Sequence, residues 1–382
     1  MRLLIAGGGT GGHIYPALAV ARALQSRPGD APEIGWLGGH RGLEASLVRA
    51  AGIPFRRLAL RSLRTVDRDV HLVLDPARLL ASVPQAAAIL ARDRPAAIFT
   101  TGGYVSIPTL LAAAPLGIPT LLWEGNVVPG RSVRVTARLA AAVAVSFSAT
   151  CEALGRPRCF VTGTPIREIG AIDRAAGRAR LGIPADAKVL LVFGGSQAVR
   201  RFNAAVAAAL AELVERAWVI HVTGDAGYAA ALAGREALRL EHRERYRPHP
   251  FLRDEMLPAL ASADLVIGRA GSSTLAEVTA LGVPMVVVPY PHAAGHQRAN
   301  AKVLADAGAA RLIEDEEFDA TALLDAATIL DDAPAHDRMS SAARRLGRPG
   351  AAAAVADLVM ALAERRALPD PAFVERRSRG AA

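Results

Sequence analysis

Two residues in the first third of the sequence, one histidine and one glutamate, could move a proton. His13 comes directly after the glycine-rich run 7–12, at the start of a predicted helix. Because an unperturbed imidazole has a pKa of about 6.5, His13 could act as a general base toward a hydroxyl nucleophile. Glu124, which follows the apolar run 119–123, is the competing base. A phosphate-contacting or helix-capping role for His13 is the alternative.

The glycine-rich run has the spacing of a phosphate-binding loop. Gly7, Gly9 and Gly12 satisfy the pattern G-x-G-x-x-G, in which backbone N–H groups and the positive end of the next helix approach a pyrophosphate. Binding of NAD also needs an acidic residue at the end of the second strand, and the stretch 36–41 has none. We therefore predict phosphate binding without NAD, with a tight packing turn as the alternative.

A second glycine loop, Gly194-Gly195-Ser196-Gln197, follows the apolar run 189–193 in the second half of the chain. Alone it is a weak signal, but it repeats the arrangement of the first loop. The pair could hold the two ends of a diphosphate-bearing ligand, or one donor and one acceptor.

The stretch 268–277 follows another apolar run and opens a helix. Its Ser273 and Thr274 stand where hydroxyls and free N–H groups favour an anion. Glu277 fits two roles equally well: it could complete a capping box at the start of the helix, or accept both ribose hydroxyls of a nucleotide.

Polar residues in the loop 289–300 suit hydrogen bonding to sugar hydroxyls. Its two histidines, His292 and His296, have no third ligand at a suitable spacing, so we expect no metal. The pattern D-x-D at 67–69 is interpreted as a solvated loop. Cys151 and Cys159 are predicted to be small buried residues in a reducing cytosol rather than a disulfide.

The elements that must position these residues alternate along the chain. Short apolar runs are followed by helical stretches, which predicts an α/β protein with doubly wound parallel sheets. The predicted strands are Arg2–Ala6, Ile34–Leu37, Ala97–Thr100, Pro119–Trp123, Ala142–Phe147, Val189–Phe193, Trp218–Thr223, a short run near Arg247, Leu265–Ile267 and Pro284–Val288. Each half opens with a strand and glycines, so we expect two Rossmann-like domains with a cleft between them.

The length and composition agree with this organisation. A chain of 382 residues with 52% apolar residues fits two folded domains and excludes a disordered protein. The net charge of +9 favours an anionic partner. Nucleic acid is an improbable one, because no recognition-helix or aromatic-platform motif is present.

No segment of the sequence is interpreted as a membrane span, but one helix could dock on a membrane surface. It begins near Arg78, and Leu79, Leu80 and Val83 would form an apolar stripe beside basic residues. The more common alternative is a helix that packs this stripe on its own core.

The motifs occur in the order seen in the MurG family, the UDP-N-acetylglucosamine transferases of peptidoglycan synthesis, and the sequence resembles that family over about residues 1–365. The resemblance rests on Gly8-Gly9-Thr10-Gly11-Gly12-His13-Ile14-Tyr15-Pro16-Ala17, Trp36-Leu37-Gly38, Gly102-Gly103-Tyr104-Val105-Ser106, Glu124-Gly125-Asn126, Gly194-Gly195-Ser196-Gln197 and His296-Gln297. It implies the two-domain GT-B fold and an inverting reaction without metal or cofactor. The reaction would move N-acetylglucosamine from UDP-N-acetylglucosamine to the C4 hydroxyl of the muramoyl sugar of lipid I, giving lipid II and UDP.

The resemblance also implies roles for individual positions. The residues that match substrate-binding positions of the family are Thr10, Gly11, Gly12, Asn126, Arg167, Ser196, Leu252, Thr274, Glu277 and Gln297, to which we add Ser273. Leu252 falls where a backbone group would contact uracil, and Glu277 matches the ribose contact. The membrane-anchored acceptor implies a peripheral protein on the anionic inner leaflet, at the cytoplasmic face of the cell membrane.

The sequence departs from the family at Trp123, where a histidine is usual, and at Ser272-Ser273, where Ala-Leu is usual. Two alternatives therefore stand beside lipid I glycosylation: a related transferase with another lipid-linked acceptor, and a non-catalytic UDP-sugar-binding protein. The expected domains are residues 1–162 on the acceptor and membrane side, 163–348 for the UDP-sugar, and 349–382 as a helix packing back on the first domain with a frayed tail.

Overall fold

The chain folds into two units. The structure, a computed structural model, describes residues 1–39, 44–60, 71–169, 172–194, 200–293 and 295–380, with only the backbone described at 71–77. One unit combines Met1–Arg167 with Arg348–Ala382, and the other is Glu168–Gly347. The chain therefore leaves the first unit once and returns to it near its C-terminus.

The described strands are β1 (Arg2–Ala6), β2 (Glu33–Gly38), β3 (Phe55–Arg57), β4 (Ala97–Thr100), β5 (Thr120–Glu124), β6 (Ala142–Val145), β7 (Cys159–Val161), β8 (Val189–Phe193), β9 (Trp218–Val222), β10 (Tyr246–His249), β11 (Leu265–Gly268), β12 (Met285–Val287) and β13 (Ala310–Leu312). The described helices are α1 (Gly11–Gln25), α2 (Glu44–Ala50), α3 (His71–Asp93), α4 (Ser106–Ala113), α5 (Arg131–Thr136), α6 (Ser148–Leu154), α7 (Arg174–Leu181), α8 (Arg200–Arg216), α9 (Asp225–Ala237), α10 (Met256–Ser262), α11 (Ser272–Leu281), α12 (His296–Asp306), α13 (Ala320–Ala327), α14 (Ala333–Leu346), α15 (Ala351–Ala363) and α16 (Pro371–Ser378).

The sheet of the first unit has seven parallel strands in the order β3-β2-β1-β4-β5-β6-β7. Its inner strands are apolar on both faces because helices cover both sides. On one side Ile5 and Trp36 pack with Val355 and Leu358 of α15. The C-terminal helix α15 thus completes a core that begins at the N-terminus.

The sheet of the second unit has six parallel strands in the order β10-β9-β8-β11-β12-β13. Val192 and Ile267 lie in its core with Phe202 of α8 and Phe318. The predicted class, α/β with two doubly wound parallel sheets, is confirmed in both units.

Three strands of the structure are absent from the sequence prediction: β3, β7 and β13. Each has three residues and forms an edge of its sheet. An edge strand this short carries no apolar run long enough to signal its presence, and β3 reads Phe-Arg-Arg.

The prediction that the chain frays beyond Pro369 is wrong, because this segment forms α16. Asp370 caps the helix by accepting a hydrogen bond from the backbone N–H of Ala372 at 3.1 Å. Val374 and Ser378 are buried, and Ser378 accepts a hydrogen bond from Arg348 at 2.7 Å. The charged composition of this segment gives no sign in the sequence that one face of the helix is buried.

The prediction of two unpaired, buried cysteines is also wrong. Cys151 in α6 and Cys159 in β7 are half-buried and form a disulfide. Helix and strand are consecutive and joined by a short turn, which brings the two Cα atoms to 5.7 Å, within the range of a disulfide.

Among the described residues one stretch, Ala333–Ala363, is long and apolar enough to cross a bilayer by length and composition. It consists of two helices, α14 and α15, separated by residues 347–350, and 56% of its most apolar window is buried inside the chain. Core helices pass such a composition test, so it is weak evidence for a membrane span.

Candidate active site

The first glycine loop leads from β1 into α1 and presents backbone N–H groups. Gly9 has a φ of 101°, a left-handed conformation that favours glycine. Thr10 is the N-cap of α1 but makes no side-chain capping bond, so the first N–H groups of the helix keep no partner from that side chain. A Cβ at Gly12 would meet no heavy atom closer than 3.8 Å, the hydroxyl of Thr10. The start of α1 therefore has space and donors for an anion.

His13 lies in the first turn of α1, and its ring orientation is set by a backbone carbonyl. Its Nδ1 is 2.7 Å from the carbonyl oxygen of Thr101, at the end of β4. A carbonyl oxygen only accepts, so Nδ1 carries the hydrogen and Nε2 is the proton-accepting nitrogen of the neutral ring. Nε2 faces the turn after β4, where a Cβ at Gly103 would lie 3.6 Å away. The half-buried imidazole is thus held in the tautomer that a general base requires.

Glu124 ends β5 and organises the loop that follows. Its Oε1 accepts hydrogen bonds from the backbone N–H and the side-chain amide of Asn126, both at 2.9 Å. Its Oε2 accepts the N–H of Gly130 at 2.8 Å. The side chain is only 5% exposed, and Thr150 of α6 donates to the carbonyl oxygen of Asn126 at 2.9 Å. The carboxylate fixes the position of Asn126.

In the second unit, the start of α11 is a second candidate anion site. The helix begins at Ser272, and its N-cap is Gly271, which has no side chain that could cap it. Thr274 is therefore the third residue of the helix rather than its N-cap, and Glu277 lies in the second turn. The capping-box alternative for Glu277 is therefore wrong. Glu277 is buried, at 9% exposure. The hydroxyl oxygen of Ser273 is buried and makes no hydrogen bond to any residue that the structure describes.

Gln297, in the first turn of α12, joins two loops of the second unit. Its Oε1 accepts the N–H of Ala270 at 3.2 Å and the N–H of Tyr290 at 2.9 Å. Because the amide oxygen is occupied on that side, the amide Nε2 is the group left to donate to a ligand. Leu252 follows β10 and is buried, with its backbone in the loop 250–255.

Comparison with known proteins shows the family of the chain. The N-terminal domain of glycosyltransferase family 28 matches residues 3–145, and the C-terminal domain of the same family matches residues 189–357. The UDP-N-acetylglucosamine–N-acetylmuramyl-(pentapeptide) pyrophosphoryl-undecaprenol N-acetylglucosamine transferase of Desulforudis audaxviator is 40% identical over 376 residues, 95% of this chain and 99% of the relative. The protein of the same name from Chlorobaculum parvum is 40% identical over 378 residues, 95% of this chain and all of the relative. The chain belongs to glycosyltransferase family 28.

A solved structure agrees with this assignment. The crystal structure of MurG from Acinetobacter baumannii is 30% identical, with a TM-score of 0.73 over 94% of this chain and 99% of that one. The resemblance to the MurG family seen in the sequence is confirmed, and the two parallel sheets match the GT-B fold of that family.

Several predicted residues of this family 28 chain lie at the ends of the described segments or outside them. Arg167 is half-buried and is the last residue of the first unit before the chain crosses. Ser196 lies outside the described residues, as does the D-x-D pattern at 67–69. Among the described residues, no group of three or more His, Cys, Asp or Glu is placed to hold a metal ion.

The helix predicted to face the membrane is α3, and its two ends differ in this family 28 chain. Ala86 and Leu90 are fully buried in the core, as the alternative interpretation expects. Leu80 is 75% exposed, while Arg78, Leu79 and Val83 are half-buried. The C-terminal part of α3 therefore packs on the core, and the predicted stripe is at the surface only at Leu80.

Sequence reasoning missed three residues that contact His13 or the first glycine loop. Thr101 holds the imidazole through its carbonyl, and Glu44 and Tyr104 form a buried pair next to the first glycine loop. Tyr104 stands in the motif 102–106 that carried the resemblance, which was the available signal. Nothing in the local spacing around Glu44 marks it as part of the site of a glycosyltransferase.

Proposed function

We propose that this chain transfers N-acetylglucosamine from UDP-N-acetylglucosamine to the C4 hydroxyl of the muramoyl sugar of lipid I. The products are lipid II and UDP, and the anomeric configuration is inverted. Relatives that are 40% identical over nearly the whole chain are named for an N-acetylglucosamine transfer of this kind. The structural observation that carries the proposal is the His13 ring, fixed by the Thr101 carbonyl beside the glycine loop.

His13 acts as the general base in this proposal. Its Nε2 takes the proton of the acceptor hydroxyl while the hydroxyl oxygen attacks the anomeric carbon from the face opposite UDP. The bond between that carbon and the β-phosphate oxygen breaks, and the electron pair leaves with UDP. The Nδ1 bond to Thr101 keeps the lone pair on Nε2 and stabilises the imidazolium that forms.

Glu124 is the weaker candidate for the base. Both of its oxygens already accept backbone or amide hydrogens, and the side chain is almost fully buried. Accepting a proton would disturb the loop that holds Asn126. We therefore assign Glu124 to positioning Asn126, which would contact the donor sugar.

The second unit would bind the UDP-sugar. The N–H groups of Ser273 and Thr274 at the start of α11 suit the diphosphate, where the helix dipole also stabilises the negative charge that develops on UDP. The buried hydroxyl of Ser273 would gain a phosphate oxygen as its partner. Glu277 would bind the ribose, Gln297 the sugar and the backbone at Leu252 the uracil. Ser196 would add a phosphate contact in this unit, and in the first unit Thr10, Gly11, Gly12 and Arg167 are the proposed phosphate contacts.

The membrane face would be formed by neighbouring helices of the first unit. Helix α4 packs against both α3 and α5. Leu80 of α3, Leu111 of α4 and Val135 of α5 are 75%, 45% and 71% exposed. Helix α5 also carries Arg131 and Arg134. Apolar side chains with nearby arginines suit the anionic inner leaflet, so we propose peripheral attachment at the cytoplasmic face of the cell membrane.

The deciding experiment measures UDP release from UDP-N-acetylglucosamine in the presence of a short-chain lipid I analogue. Stoichiometric UDP and a lipid II analogue support the proposal. Release that occurs only with another polyprenyl or glycolipid acceptor indicates the related transferase. UDP binding without release under any of these conditions indicates a binding protein and contradicts the proposed transfer.

A further inference from the structure

A buried carboxylate lies beside the first glycine loop and has no part in the chemistry proposed above. Glu44, the first residue of α2, is 1% exposed. Its Oε1 accepts the hydroxyl hydrogen of Tyr104 at 3.0 Å and the N–H of Gly39 at 3.3 Å, and its Oε2 accepts the N–H of Gly9 at 3.4 Å. A carboxylate buried this fully depends on such donors, because burying it without them would cost roughly several kcal/mol of folding free energy.

These three donors come from three neighbouring loops at one end of the sheet. Gly9 follows β1, Gly39 follows β2 and Tyr104 comes after β4, and these strands lie side by side in the order β2-β1-β4. A single side chain therefore joins the carboxyl ends of three adjacent strands.

The space for this carboxylate is provided by glycines. A Cβ at Gly8 would lie 2.8 Å from Oε1 of Glu44, and a Cβ at Gly39 would lie 2.2 Å from the hydroxyl oxygen of Tyr104. Both distances are shorter than any tolerated contact of a Cβ. A side chain at Gly8 or Gly39 would therefore displace Glu44 or Tyr104 from its present position.

Tyr104 is a permanent donor to this carboxylate. Burial, and after it the charge of Glu44, raise the pKa of the Tyr104 phenol well above its ordinary value. Tyr104 also lies three residues after Thr101, whose carbonyl holds the His13 ring, and Gly9 lies four residues before His13. Glu44 is therefore hydrogen-bonded to one residue four positions before His13 and to another three positions after the residue that holds the His13 ring.

We infer that Glu44 is a positioning residue for the transfer reaction: through Gly9 and Tyr104 it fixes the glycine loop and the turn after β4, and so the place of His13. This inference rests on the proposed function. Displacing a catalytic base by about 1 Å can lower the reaction rate about 100-fold, so a small shift of His13 should have a large effect on kcat.

The test compares Glu44→Gln and Glu44→Ala with the matched control Glu33→Gln. Glu33 lies at the opposite end of the same part of the sheet, in β2, where it pairs with Arg2 at the surface. We expect kcat to fall about 10- to 100-fold in Glu44→Gln, since the Nε2 of glutamine cannot accept the N–H of Gly9. The KM for UDP-N-acetylglucosamine should rise by a smaller factor than kcat falls, because the same loop also contributes phosphate contacts, and Glu33→Gln should match the unmodified chain. An unchanged kcat in Glu44→Gln, or a loss confined to that KM, overturns the inference.

A double-mutant cycle provides a second measurement where Glu44→Ala does not fold. Tyr104→Phe removes only the hydroxyl that donates to Glu44. Because the two side chains act through one contact, Glu44→Gln and Tyr104→Phe together should reduce kcat by less than the product of their separate effects. Independent, multiplicative losses contradict a shared positioning role.

Hydrogen exchange separates this inference from the proposed function. We expect the peptide covering residues 7–13 to exchange its amide hydrogens faster in Glu44→Gln than in the unmodified chain, because the N–H of Gly9 loses its acceptor. This readout needs no acceptor, so it stands even if the unmodified chain releases no UDP, a result that would count against the transfer alone. Equal exchange in this peptide overturns the positioning role.

Discussion

Oε2 of Glu124 accepts the backbone N–H of Gly130 at 2.8 Å, so this oxygen closes the loop that begins at Glu124 itself. Oε1 is occupied in the same way by Asn126. His13 differs, because its Nδ1 donates to the Thr101 carbonyl and its Nε2 is then the proton-accepting nitrogen of the neutral ring. The two candidate bases should therefore respond differently to substitution.

His13→Ala should lower kcat by roughly 10²–10⁴-fold, the usual contribution of a general base. Its thermal stability should fall only modestly, because the half-buried side chain gives up its hydrogen bond to the Thr101 carbonyl. Steady-state UDP release with the lipid I analogue measures the first quantity, and thermal unfolding measures the second. Near-normal turnover would move the role of base to Glu124 or to the substrate phosphates.

Glu124→Gln should instead lower stability and turnover together. Glutamine offers one acceptor oxygen where the structure uses two, so about 1–3 kcal/mol of unfolding free energy should be lost. Urea denaturation monitors this loss. A variant with full stability and greatly reduced turnover would instead favour a direct chemical role for the carboxylate.

Ser273→Ala should weaken UDP binding by about tenfold, the effect of one hydrogen bond to a charged group. The unfolding free energy without ligand should stay equal or rise, because the buried hydroxyl has no partner among the described residues. Isothermal titration with UDP measures the affinity. Ser341→Ala, at an exposed serine of α14, is the matched control and should bind UDP normally. Equal UDP affinity in Ser273→Ala would remove this hydroxyl from the phosphate site.

Leu80→Asp should reduce attachment to vesicles by about 10- to 100-fold, since inserting one leucine contributes roughly 1.5–3 kcal/mol. Leu240→Asp is the control: Leu240 is 79% exposed but belongs to the other unit. Co-sedimentation with vesicles containing phosphatidylglycerol measures attachment, which should also weaken as salt is raised. Equal losses in the two variants would contradict a specific face around α3.

His221 should make the second unit sensitive to acid. It is buried in β9, where Nδ1 contacts the hydroxyl of Tyr246 at 2.9 Å, and burial lowers the pKa of His221 to about 4. The unfolded chain, with a histidine pKa of about 6.5, binds this proton more readily. Stability from the neutral ring is therefore complete above pH 6.5, roughly, and is lost progressively toward pH 4, by about 3 kcal/mol in total.

Urea unfolding at pH 7.5 and pH 5 tests this window, in which His221 alone should account for a loss of about 2 kcal/mol. His221→Gln keeps a hydrogen-bonding partner for Tyr246 but does not titrate. The pH dependence of its unfolding should be shallower by that amount. An identical pH dependence in both proteins would show that another group is responsible.

The sequence predicts the central strands well because burial on both faces leaves an uninterrupted apolar run, as in Val189–Phe193. The short strands at the edges of the sheets have no such run. Strand β3, with its two arginines, therefore cannot be predicted from apolar runs. Helix α16 is not predicted for a related reason: its one buried face, at Val374, lies among charged residues in the sequence.

The site could be predicted where chemistry follows local spacing, as at His13 or in the stretch 271–277. Glu44 could not, because its partners Gly9 and Tyr104 are 35 and 60 residues away in the chain. Only the order of the strands brings these loops together. A buried carboxylate is recognised by its three-dimensional surroundings, and no sequence window contains them.

The return of α15 to the first unit has a consequence for the order of folding during synthesis. The second unit, Glu168–Gly347, is continuous and can fold as soon as it leaves the ribosome. The first unit emerges earlier but lacks Val355 and Leu358 of its core until the last residues are made. Until α15 has been synthesised, one apolar face of the sheet in the first unit stays uncovered. The part of the chain that is synthesised first is therefore the last to complete its core.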